Sequence, residues 1–91
     1  MPRYIIEREV PNLSKMTPEE REAVSRKSIE VASQIPGLVW IKSYISEAEG
    51  KIYCEYEAPN PEAILEHARQ VGVPANRISE VAMEVSPEMF V

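Results

Sequence analysis

Three glycines, one cysteine and one histidine in 91 residues leave little material for the common catalytic motifs. A phosphate-cradling loop needs clustered glycines, and none is present. Nor is there a nucleophile elbow, a CxxC pair or an HExxH helix. Cys54 has no partner for an internal disulfide, which fits a reducing compartment. No apolar run approaches the roughly 20 residues that span a bilayer. The start, Met1-Pro2-Arg3-Tyr4, runs directly into a strand pattern without a cationic leader, so the expected location is the cytoplasm. Positive charge is also scarce, with ten Lys and Arg against fifteen acidic residues and a net charge of −5. Arg21, Arg26 and Lys27 are diluted by Glu19, Glu20, Glu22 and Glu30. Nucleic-acid affinity needs clustered cations, so that class of partner is not expected.

What is present suits one small folded domain. An apolar fraction of 44% with 27% charged residues is ordinary for a globular chain. A domain this short buries about two-thirds of its unfolded surface, which leaves little spare stability and makes dimerisation useful.

The chain divides cleanly at its prolines. Tyr4 to Val10 is a strand pattern ended by Pro11-Asn12. Thr17, Pro18 and Glu20 form a capping-box start, followed by a helical stripe at Val24, Ser28, Val31, Ala32 and Ile35. Leu38 to Pro59 reads as a hairpin turning at Glu47-Ala48-Glu49-Gly50. Asn60 and Pro61 open a second helix with the stripe Ile64, Leu65, His67, Ala68 and Val71, closed by Gly72. A last strand is expected over Arg77 to Val85. The order strand, helix, strand, strand, helix, strand predicts a ferredoxin-like α+β sandwich, with a four-stranded antiparallel sheet and two helices on one face.

Pairing Ser46 with Lys51 fixes a hairpin register in which Ile45 meets Ile52, Tyr44 meets Tyr53, Ser43 meets Cys54 and Ile41 meets Tyr56. Regular alternation then puts Val39, Ile41, Ser43, Ile45, Ile52, Cys54 and Tyr56 under the helices. Trp40, Tyr44 and Tyr53 fall on the uncovered face. Three large aromatics there predict a contact surface, and hence a homodimer of the α/β-barrel kind.

His67 leans toward the sheet from the second helix. It is expected either to bond a backbone carbonyl or to act as a metal ligand or base. Cys54, on the helix-facing side, is either a small core residue or its partner in a soft divalent-metal site. A third ligand would come from Glu80, Glu57, a tyrosine, water or a second chain. A small-molecule pocket would draw on Ser43, Tyr44 and Tyr56. Glu7, Glu55, Glu57, Glu80 and Glu84 are expected on the uncovered sheet face, paired with Arg3 and Lys42 or gathered around a metal.

The segments MPRYIIERE, WIKSY, YCEYEAPNPEAILEHAR and GVPANRISEV, which run through nearly the whole chain, resemble a bacterial family of small domains that includes a nickel-binding, ferredoxin-like homodimer. The resemblance implies the same fold, a dimer, and metal binding with Cys54 and His67 at matching positions and Ni²⁺ as the ion. The expected function is therefore divalent transition-metal binding. The alternatives are a dimeric α/β-barrel enzyme acting on a small organic molecule, favoured by a cavity between sheet and helices, and a dimeric interaction module without a site.

Overall fold

A computed structural model describes all 91 residues. Strands β1 (Arg3–Glu9), β2 (Val39–Ser46), β3 (Lys51–Glu57) and β4 (Arg77–Val81) alternate with helices α1 (Pro18–Gln34) and α2 (Pro61–Val71) in the expected order. The sheet runs β2-β3-β1-β4 with every neighbouring pair antiparallel, which is the ferredoxin-like arrangement. The N-terminal strand therefore lies in the middle of the sheet.

The helix starts follow the local chemistry. Thr17 Oγ1 accepts from the Glu20 amide at 3.1 Å, and the Glu20 carboxylate accepts from the Thr17 amide at 3.0 Å, satisfying two orphan donors at once. Asn60 Oδ1 accepts from the Ala63 amide at 2.9 Å to open α2. Gly50 closes the β2–β3 turn at φ 65°, a region unfavourable to residues with a Cβ. A side chain there would also come within 3.2 Å of the Val10 carbonyl oxygen.

The inward residues of β1, Tyr4 and Ile6, meet Ile64 of α2, Ala32 of α1 and Tyr56 of β3 in a single core. Leu13, in a short 3-10 turn over Leu13–Lys15, is buried outside this cluster, a burial for which the sequence pattern held no sign.

Two expectations fail, each for an identifiable reason. The hairpin register holds from Ser46↔Lys51 to Lys42↔Glu55, but Ile41 is then skipped and Trp40, not Ile41, faces Tyr56. A one-residue bulge reverses the parity of everything before it. Trp40 turns to the helix side, while Val39 and Ile41, expected in the core, are largely exposed. Ile45 keeps its expected side but is also exposed, because β2 is an edge strand. Second, β4 stops at Val81 rather than Val85. Its partner begins at Arg3, opposite Val81, and Pro2 has no amide to extend the ladder. Met83 and Val85 are accordingly exposed.

The bulge yields a test. Deleting Ile41 removes the unpaired residue yet leaves Trp40 opposite Tyr56 and Lys42 opposite Glu55. The deletion is expected to cost about 1 kcal/mol or less, with the tryptophan emission maximum unchanged. A red-shifted emission would show that the bulge itself holds the indole inward.

Candidate functional site

The site begins with the parity of β1. Tyr4 and Ile6 point inward, and so must Arg8, two residues on; it is only 4% exposed. Its Nη1 donates to the Pro74 carbonyl at 2.7 Å, and its Nε donates to Cys54 Sγ at 3.4 Å. The guanidinium carbon lies 5.9 Å from the centre of the Tyr56 ring, within cation–π range. No carboxylate forms an ion pair with Arg8.

Cys54 sits at the centre of a short relay. The Trp40 indole donates to Ser43 Oγ at 2.9 Å, and the Ser43 hydroxyl donates to Cys54 Sγ at 3.0 Å. The inward turn at the bulge makes this relay possible, because it places Trp40 and Ser43 on one face of β2. Trp40 also stacks on Tyr56, with ring centroids 6.5 Å apart and 17° between planes. Burial pushes the Tyr56 phenol up to about 12 against the opposing pull of Arg8, so the ring carries no charge near neutrality.

A cavity of about 130 Å³ opens over these groups. Val24, Ser25 and Ser28 of α1 form one side; Trp40, Ser43 and Ile45 of β2 and Ile52, Cys54 and Tyr56 of β3 form another. Arg8 and Val73 complete it. The expected pocket residues Ser43 and Tyr56 are in this wall. Tyr44 is not, because it stands opposite Tyr53 on the other sheet face and is mostly exposed. Trp40, expected beside Tyr44 and Tyr53 on that outer face, belongs to the cavity instead.

His67 is 1% exposed, held between α2 and its neighbours. Its Nε2–H donates to the Ser28 carbonyl at 3.0 Å, which fixes the tautomer, and Nδ1 is left buried with no partner. The ring lies 5.4 Å from that of Tyr56. Burial lowers the imidazole's pKa, the Ser28 hydrogen bond opposes this, and the Arg8 charge lowers it further.

The three expected metal ligands do not converge. Glu80 lies across β1 from Cys54's strand, opposite Tyr4, and so on the helix-facing side rather than with Glu7, Glu55 and Glu57. No group of three His, Cys, Asp or Glu side chains is placed to hold an ion. The Cys54–His67 pair also suits a cation poorly, since Cys54 already faces the Arg8 guanidinium and His67 is sealed in packing. Arg3 pairs with Glu55 at 3.2 Å and reaches Glu84 at 3.4 Å, and Lys51 pairs with Glu7 at 3.8 Å, so ion pairing accounts for these three carboxylates, whereas Glu57 has no ion pair and Lys42, the other expected partner, forms none.

Residues 4–81 match the family described as nickel responsive protein SCO4226-like. The chain belongs to this family. The crystal structure of SCO4226 from Streptomyces coelicolor A3(2) is similar, with a TM-score of 0.76 at 19% identity, covering 91% of this chain and 99% of that one. At that identity the likeness to SCO4226 shows the shared ferredoxin-like fold. Among curated proteins no sequence matches the chain. No helix is long and apolar enough to cross a membrane.

Sequence reasoning missed Arg8. The signal was available, because alternation from Tyr4 and Ile6 points position 8 inward. An arginine is so seldom buried that residue type argued against parity.

Proposed function

We propose that this chain binds a divalent transition metal, nickel foremost, as a homodimer whose metal site draws donors from two copies. Membership of a nickel-responsive family over residues 4–81 is the observation that carries the reading. Within one chain no three suitable donors meet, so a second copy is the natural source of the rest. Strand β4, which carries Glu80, is an edge strand with one side unpaired, and that edge offers a place for the second copy. Of the expected ligands Glu80 is the one left open. It is exposed, has no basic partner, and acts together with Glu62 on the Tyr4 hydroxyl, raising its pKa after the larger effect of burial. For a site built on this carboxylate, Ni²⁺ would be held more tightly than Mn²⁺ or Co²⁺.

Calorimetric titration with Ni²⁺ tests this. Native protein should bind, Glu80→Gln should weaken binding by about tenfold or more, and Cys54→Ser should stay within about twofold of native. Loss of binding in Cys54→Ser or His67→Ala, with Glu80→Gln unaffected, would return the site to the core. No heat from native protein would end the metal reading altogether.

A second reading is favoured by the cavity itself. A space of about 130 Å³ beside Trp40 and Tyr56 suits a small organic molecule held between α1 and the sheet.

A further inference from the structure

Arg8 is the one buried cation in the fold, and it lacks a counter-charge. A guanidinium stays protonated in any protein environment, and an uncompensated buried charge is costly. Yet Arg8 is 4% exposed, and its direct hydrogen-bond acceptors are a sulfur at 3.4 Å and one backbone carbonyl. These engage two of its five N–H groups, and the guanidinium also interacts with Tyr56, a neutral phenol that supplies no counter-charge. The chain carries fifteen acidic residues, and none of them lines the cavity that Arg8 borders. The other polar groups of the wall bond chiefly to one another or to the backbone, as Trp40 does to Ser43, Ser43 to Cys54, and Ser25 to the Arg21 carbonyl. The remaining wall is apolar, with Val24, Ile45, Ile52 and Val73.

We infer that this cavity binds a small organic monoanion, a carboxylate with a compact apolar body, its charge on Arg8 and its body against Trp40 and the aliphatic wall. The inference rests on the small-molecule reading of the cavity and adds the ligand's chemical class. One cation calls for one negative charge, and there is neither a second cation nor a glycine-rich loop to receive a phosphate dianion. Size sets the body. A dry cavity of about 150 Å³ accommodates the six carbons of benzene, so about 130 Å³ suits about six heavy atoms in all, a carboxylate on a body of roughly three carbons.

Trp40 is the single tryptophan and stands in the wall, so its emission reports occupancy. Native protein titrated with isobutyrate should show a saturable emission change. The isosteric isobutyramide should bind about tenfold or more weaker, since it lacks the charge. Arg8→Met should bring acid and amide to equal, weak affinity. Val24→Phe, which fills the cavity from α1 and leaves the sheet untouched, should abolish both responses in a protein whose circular dichroism is native. That variant keeps the test sound if Arg8→Met does not fold. Equal binding of acid and amide by native protein overturns the charge inference while leaving the pocket. No response to either overturns the pocket reading as well.

Discussion

Replacing Ile64 with alanine is expected to lower the unfolding free energy by about 3 kcal/mol, within the range of about 2–5 measured for such truncations. Ile64 is completely buried and belongs to the core shared by both helices and the sheet. Its neighbours Tyr4, Ile6 and Tyr56 sit on β1 and β3, the two central strands, which are each tied by two ladders and cannot readily collapse into a void. A domain of this size has a total stability on the order of 5–15 kcal/mol, so the loss should be a large part of it. Urea unfolding followed by circular dichroism measures it directly. A cost below about 1 kcal/mol would mean that the core around α2 is looser than its burial indicates. Leu65, the next residue, provides the control: it is half exposed, and Leu65→Ala should cost far less.

The second large effect belongs to His67. His67→Ala removes the hydrogen bond that ties α2 to the Ser28 carbonyl of α1 and leaves a cavity beneath the helix, a combined loss of about 2–3 kcal/mol. The same residue makes stability depend on pH. Its folded pKa lies below the unfolded value of about 6.5. Below that value the unfolded chain takes up a proton that the buried ring resists. Stability is therefore fully present above about pH 6.5 and is lost as pH falls toward the folded pKa. The groups around the ring do not reverse the sign, since Arg8 stays cationic and Tyr56 stays neutral. Urea midpoints at about pH 7.5 and about pH 5.5 should fall on acidification for native protein, with the drop absent in His67→Gln. Glutamine can still donate to Ser28, so that variant separates the hydrogen bond from the titration. An equal acid loss in His67→Gln would place the pH dependence in other groups.

Much of the fold was legible because short-range chemistry wrote it. Thr17 with Glu20, Asn60 with Pro61, and Gly50 in its turn each satisfy a local requirement, and each produced the element it signals. His67 bonding a backbone carbonyl was likewise among its readable outcomes. The failures are all cases where a distant partner decides. Whether Ile41 is paired or skipped depends on how β2 meets β3 and the helices, and no residue near it marks a bulge. That single skipped residue moved Trp40 from the expected contact surface into the cavity and took Ile41 out of the core. The end of β4 was set by Pro2, some eighty positions earlier in the chain. Glu80's face was set in the same way, by its pairing with Tyr4.

The strand order has a consequence for how the cavity is anchored. Arg8 rides on the central strand β1, paired there with Ile52 of β3 and one residue past the end of the β4 ladder, and its side chain is further pinned to the Pro74 loop. Trp40, Ser43 and Ile45 ride on β2, an edge strand held by one ladder that the bulge interrupts. The charged floor is thus the most firmly anchored part of the chamber, and its aromatic side rides on the least anchored strand. A small molecule bound there would meet its charge partner on a central strand and its aromatic wall on an edge strand.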